Sequence, residues 1–98
     1  MPHVRLSARA QSDISRLHTF LLEKDSSAAK RAVLAIREAF MPLKHSHMIG
    51  RPVEDNDDLR ELVIDFGATG YLALYRFEPS LDVVTILAIK HQREDDYM

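Results

Sequence analysis

Three runs, LRELVIDF (residues 59–66), GYLALYRF (70–77) and VVTILAI (83–89), follow one another and end in Lys90-His91-Gln92-Arg93, with Tyr97 one residue from the C-terminus. In the first, Leu62, Ile64 and Phe66 share one face while Glu61, Val63 and Asp65 take the other, the period-two pattern of a strand. Gly67 and Gly70 bracket a turn, where glycine supplies positive φ without steric cost. In the second run Tyr71, Ala73, Tyr75 and Phe77 alternate with Leu72, Leu74 and Arg76. Residues 78–82, with Pro79, make a second turn. The third run is apolar on both faces except at Thr85, as a central strand should be.

Outward from this sheet, residues 3–6 read as a short opening strand with Val4 and Leu6 on one face. Ser7 is a plausible N-cap for a helix running to about Lys24. There Ala10, Ile14, Leu17 and Leu21 form one stripe. Asp25-Ser26-Ser27 interrupts the pattern and can cap a second helix. Its stripe of Ala29, Val33, Ile36, Phe40 and Leu43 extends through about His45, with Pro42 kinking or ending the last turn. Residues 46–58, carrying Gly50, Pro52 and an acidic run, read as loop. The expected order is β-α-α-β-β-β: an α+β fold in which a helical hairpin packs on a mainly antiparallel four-stranded sheet.

The 98 residues suit one domain with one modest core. Cysteine is absent, which excludes thiolate chemistry and suits a reducing cytoplasm. No apolar run approaches the roughly 20 residues of a membrane span, and the N-terminus lacks the apolar core of a signal peptide. A soluble cytoplasmic protein with no membrane association is expected. The net charge of −2 conceals an asymmetry. Residues 1–53 hold nine Lys/Arg against four Asp/Glu, whereas residues 54–98 hold four against eleven. Strong non-specific nucleic-acid binding needs a clear basic surplus, which the C-terminal part lacks.

A metal-free nuclease needs a base, an acid and cations on the phosphate. His91, Tyr97, Arg93, Arg76 and Arg60 have the chemistry for these roles. Arg76 and His91 meet only if the strand register brings them together; otherwise Arg76 pairs with Glu61 or Asp65 and His91 simply ends a strand. Arg60 can neutralise Asp57 or Asp58, residues 94–96 can mask Arg93, and Tyr97 can be an anchor instead of an acid. His45-x-His47 lacks a third ligand at metal-site spacing. No phosphate loop, Ser/His/Asp signature or Walker motif occurs, and neither metal nor cofactor is expected.

Gly50-Arg51-Pro52-Val53, Leu59-Arg60-Glu61-Leu62-Val63, Gly70-Tyr71, Leu74-Tyr75-Arg76 and residues 84–93 together give the chain its resemblance to the RelE/ParE superfamily of type II toxin–antitoxin toxins. The likeness covers nearly the whole chain. It implies a small bacterial toxin, held in a heteromeric complex by a cognate antitoxin that buries the helix groove (Leu17, Leu21, Val33, Ile36, Phe40) or the sheet edge. RelE-like members cleave mRNA on the ribosome with a basic surface; ParE-like members poison DNA gyrase. Where RelE carries basic catalytic residues before Gly70-Tyr71, this chain has Asp65 and Phe66, and it has His91 in place of an arginine. Tyr97 falls where the RelE tyrosine would. The resemblance therefore favours a ParE-like gyrase inhibitor, contacting its target through Arg60, Arg76, Lys90, His91, Gln92, Arg93 and Tyr97. Under the alternative, an endoribonuclease, His91, Arg76, Arg93 and Tyr97 would be catalytic. A third possibility is a non-toxic relic that only binds antitoxin.

Overall fold

The computed structural model describes residues 2–97. The chain runs β1 (His3–Leu6), α1 (Ala8–Leu22), α2 (Ser26–Ala39), a 3₁₀ turn (Met41–Lys44), β2 (Arg51–Val53), β3 (Asn56–Phe66), β4 (Thr69–Glu78) and β5 (Val83–His91). Ser7 caps α1 by accepting from the Ala10 N–H, and Asp25 caps α2 by accepting from the Ser27 and Ala28 N–H groups. The α1 stripe and Ala32, Ile36, Phe40 and Leu43 meet Leu62, Ile64, Tyr71, Ala73, Tyr75, Val84, Ile86 and Ile89 in one hydrophobic core. The helices thus cover one face of the sheet.

Among the described residues the sheet has five strands in the order β1-β5-β4-β3-β2, one more than expected. β1 runs parallel to β5 and the remaining pairs are antiparallel, so the sheet is mixed. The added strand, β2, lies in the stretch read as loop, and β3 begins at Asn56 instead of Leu59. At this end of the β2–β3 ribbon Asp57 and Asp58 are exposed. Backbone hydrogen bonds alone make the strand there, so no alternation of apolar side chains announces it. Val53 pairs with Asn56 across a two-residue turn in which Asp55 takes φ 66°, a conformation aspartate tolerates better than most residues.

The second helix ends at Ala39, short of the expected His45. Pro42 has no N–H to donate and its ring would meet the carbonyl of Glu38, so the chain tightens into the 3₁₀ turn. Leu43 nevertheless remains fully buried.

β5 contains an irregularity that the alternation of its apolar residues conceals. Leu74 pairs with Ala88 but Tyr75 pairs with Ile86, leaving Leu87 as an extra residue, a β-bulge. Val84 and Ile86 point to the helices before the bulge; Ile89 and His91 do so after it. Lys90 accordingly lies on the face the helices leave open.

Two polar arrangements lock these layers. β1 stops at Leu6, opposite Ile86, so the outer edge of β5 continues without a strand partner. Side chains at the start of α1 complete it. Ser7 Oγ donates to the Leu87 carbonyl at 3.0 Å, Asp13 Oδ2 accepts from the Ile89 N–H at 2.9 Å, and Arg16 reaches the Ile89 carbonyl at 3.4 Å. Asp13 is only 5% exposed, and Arg9 and Arg16 compensate its buried charge. The second lock is the phenol of Tyr75, which donates to the His47 carbonyl at 2.7 Å and accepts from the Gly50 N–H at 2.8 Å. A Cβ at position 50 would stand 2.6 Å from the Tyr75 ring, so only glycine lets the loop approach so closely.

Removing either lock strands a backbone group away from water, which costs about 1–3 kcal/mol. Asp13→Ala and Tyr75→Phe are each expected to lower the urea midpoint by that equivalent with an unchanged m-value. A midpoint shift worth less than about 0.5 kcal/mol, the usual effect of a surface substitution, would show that the lock contributes nothing.

Candidate functional site

The end of β5 presents Lys90, His91, Gln92 and Arg93 around a turn closed by the Glu94 N–H donating to the His91 carbonyl at 3.0 Å. The pleat puts Lys90 and His91 on opposite sides of the sheet, and the bulge decides which side each takes. On the helix side, His91 sits edge-on to Tyr71, with ring centroids 5.6 Å apart. The Arg93 N–H donates to its Nδ1 at 3.1 Å, so that nitrogen is unprotonated; Nε2 then carries the proton and donates to Thr69 Oγ1 at 2.9 Å. Both imidazole nitrogens are engaged.

On the open face, the Lys90 ammonium donates to the Glu94 carbonyl at 2.8 Å and lies 5.3 Å from the centre of the Tyr97 ring. Tyr97 Oη donates to Glu61 Oε2 on β3 at 2.6 Å, and Glu61 also pairs with Arg51 of β2. The tail therefore folds back across β4 and ties β5 to the far strands. Burial pushes the Tyr97 phenol up, and its bond to the Glu61 carboxylate and that group's charge push it further. A phenol so held is an anchor and a poor proton donor.

Glu94 organises the turn. Its carboxylate pairs with Arg16 at 3.0 Å and accepts from the His91 N–H at 3.0 Å. The sequence left open whether residues 94–96 mask Arg93; in the structure Glu94 turns toward α1, and Arg93 is exposed with no ion pair among the described residues. Glu94, Arg16, Asp13, Glu61 and Thr69 were all missed as site residues. The contacts that bring them together, Arg16–Glu94, Asp13–Ile89, Glu61–Tyr97 and Thr69–His91, join distant parts of the chain, so local spacing carries no trace of them.

The remaining candidates lie elsewhere. His91 pairs with Tyr71 but Arg76 pairs with Thr85, five residues further along β4, about 17 Å away at a strand rise of about 3.4 Å. Arg76 pairs with Glu78, which Arg5 also binds, and not with Glu61 or Asp65. Arg60 donates to the Gly50 carbonyl at 2.7 Å and to the Met48 carbonyl at 3.2 Å, stapling the loop before β2. Arg60 and Arg76 thus lie apart from the cluster at the end of β5. The helix stripe expected to form a partner groove is largely packed inside the chain. Leu17, Ile36 and Phe40 are core residues and Val33 packs against the core, so the chain's own sheet takes most of that stripe.

Leu17 and Leu21 do border a concavity of about 600 Å³, between the end of α1, the β3–β4 turn and the His91–Glu94 turn. Among the described residues no group of three or more His, Asp or Glu is placed to hold a metal; His47 instead stacks on Phe77 at 3.8 Å. No helix of the described residues is long and apolar enough to cross a membrane.

Taken alone, burial would raise the Glu61 carboxyl, but hydrogen bonds from Tyr97 and Arg51 and the charges of Arg51 and Lys90 outweigh it and hold Glu61 below its ordinary 4.5. A depressed carboxyl stabilises the fold above its unfolded value and loses that contribution as pH falls through the folded one. The tail is therefore expected to release in acid, below pH 4.5, and Tyr97→Phe should move Glu61 upward. Carboxyl NMR titration checks both; an unmoved Glu61 in the variant would refute the anchor.

The family model described as "ParE toxin of type II toxin-antitoxin system, parDE" matches residues 4–96. A curated relative, Toxin RelE3 of Caulobacter vibrioides, is 40% identical over 95 residues, covering 96% of this chain and 98% of its own. Among solved structures, the chromosomal ParDE system from P. aeruginosa superposes with a TM-score of 0.79 at 22% identity, over 93% of this chain and 96% of that one. The intact E. coli RelBE toxin–antitoxin complex gives 0.65 at 14% identity, over 96% and 100%. The bulged β5, the helical hairpin and the mixed sheet are thus set in a known frame: the chain belongs to the ParE toxin family, within the RelE/ParE superfamily of type II toxin–antitoxin toxins.

Proposed function

We propose that this toxin acts in the cytoplasm by binding DNA gyrase and blocking replication, and that a cognate antitoxin neutralises it in a heteromeric complex. The observation that carries the choice of target is the separation of the nuclease candidates. His91 lies on the helix side of the sheet and Tyr97 on the open side, while Arg76 sits at the far end of β4. An acid, a base and a phosphate ligand must converge on one ribose–phosphate unit to transfer protons within it. These residues do not converge. The eleven acidic residues against four basic ones after Val53 also oppose ribosomal RNA as a target. Inhibition of gyrase demands no chemistry of the toxin, only a surface, and the exposed Gln92 and Arg93 beside the Glu94 turn provide one.

Ribosome-dependent mRNA cleavage is the second reading. The curated relatives bear RelE names, and Arg93 offers an unpaired guanidinium within two residues of an imidazole.

One preparation of purified toxin can separate the two. Gyrase supercoiling should be inhibited by the toxin, with translated mRNA left intact. Normal supercoiling at large toxin excess, together with codon-positioned cuts in translated mRNA, would overturn the gyrase reading. In that case His91→Ala should reduce cleavage on the order of 10²–10⁴-fold, the usual contribution of a general acid or base.

A further inference from the structure

Glu94 is bound on both faces of the sheet at once. On the helix side Arg16 of α1 donates to both its carboxylate oxygens, at 3.0 and 3.1 Å, and the His91 N–H donates to one of them. On the open face its backbone carbonyl accepts from the Lys90 ammonium at 2.8 Å. Three residues further on, the Tyr97 phenol is bound to Glu61. One residue therefore joins a helix on one side of the sheet to a tail on the other.

Strand register sets what the tail lies over. Pairing puts Val63, Leu72 and Lys90 in one row across β3, β4 and β5, and Glu61, Leu74 and Ala88 in the next. Tyr97 stands beside Lys90 and bonds to Glu61, so the tail passes over β4 at the half-buried Leu72 and Leu74. Val63, on the neighbouring strand, is 46% exposed, whereas Lys90 is only 9% exposed, an uncommon burial for an ammonium. The Glu94 carbonyl and the Tyr97 ring, 5.3 Å away, take the place of its water.

Between its two ends the tail has little hold. Asp95 and Asp96 are exposed and belong to no strand. Glu94 pins one end and Tyr97 the other. A segment held by two pins without a backbone ladder opens when either is drawn.

We propose that residues 94–97 form a strap closed over the open face of the sheet and latched from the opposite face, through Glu94, by Arg16 of α1. A shift of α1 along the sheet, or capture of its guanidinium, then lifts the strap, bares Lys90 and joins Leu72 and Leu74 to the exposed Val63. The strap is an autoinhibitory contact: while closed, it withholds an ammonium and two leucines from any partner of that face.

Glu94→Ala in the full-length chain separates a latch from simple electrostatics, because the two move Glu61 in opposite directions. Removing a negative charge lowers the proton affinity of another carboxylate, whereas losing the Tyr97 bond raises it. The groups facing Glu61 are Tyr97 from the tail, Arg51 from β2 and Lys90 from β5, and the substitution keeps all three. Carboxyl NMR should show Glu61 binding its proton at least about twofold more tightly than in wild type. Acetic anhydride labelling, read by mass spectrometry, should modify Lys90 at least about threefold faster, with the exposed Lys30 of α2 as an unchanged reference. Arg16→Gln should act in the same direction from α1, and in a Tyr97→Phe background neither substitution should raise Glu61 further. Thermal melting verifies that each variant is folded. Arg16→Gln also takes a partner from the buried Asp13, so Glu94→Ala, which leaves both arginines on Asp13, decides if that variant fails to fold. Glu61 unmoved or lowered in Glu94→Ala, or Lys90 labelled at the wild-type rate, would overturn the latch. So would an upward shift of Glu61 that persists without the Tyr97 hydroxyl.

Discussion

A parallel strand of four residues cannot cover a neighbour of nine, and the rest of this structure follows from how the shortfall is met. β1 pairs with β5 only as far as Ile86. A buried edge with free N–H and carbonyl groups is costly, so something must replace the missing strand. Ser7, Asp13 and Arg16 do so from the first three turns of α1. Because Ser7 also caps that helix, the same hydroxyl sets the helix start and its height on the sheet. Asp13 then fixes its rotation. The arrangement needs a buried carboxylate, tolerable only because two arginines and a backbone N–H surround it. Arg16 extends the network to Glu94, so the position of α1 and the shape of the C-terminal turn depend on each other.

Much of this fold is written in local pattern. Both helices start where a capping side chain precedes an apolar stripe, and the three long strands are read from alternation and turn glycines. Residues 51–58 are different, because almost all of them are exposed and the strand there shows in backbone pairing and the Arg51–Glu61 contact, with no apolar alternation. The bulge at Leu87 is hidden for a related reason. A strand apolar on both faces gives the same reading in either register, and only its partner β4 reveals the slip. Pro42 was legible as a break, but the burial of Leu43 beyond it depends on tertiary contacts.

The bulge also decides what the C-terminal cluster can be. In sequence Lys90, His91 and Tyr97 crowd together and invite a catalytic reading. A strand separates neighbours onto opposite faces, and the tail then carries Tyr97 over the face that His91 does not share. Proximity along the chain therefore became separation by the thickness of the sheet. Arg76 illustrates the same error at longer range, since antiparallel register places it beside Thr85, at the opposite end of the hairpin from His91. Residue type and order mark the family; register governs which chemistry is geometrically open.

Charge behaves similarly. A basic residue followed by three acidic ones reads as self-neutralised, yet pairing is decided by where the backbone aims each side chain. Glu94 is drawn to Arg16, across 78 positions, because that contact is reinforced by the His91 N–H and by Asp13 behind it. An isolated exposed pair with Arg93 would gain little against the entropy of holding two long side chains, whereas a bidentate contact within a network gains more. The outcome is a site whose rim keeps one guanidinium available while its neighbours are satisfied internally. Such a cation costs the folded chain almost nothing, because water solvates it as well as an exposed partner would.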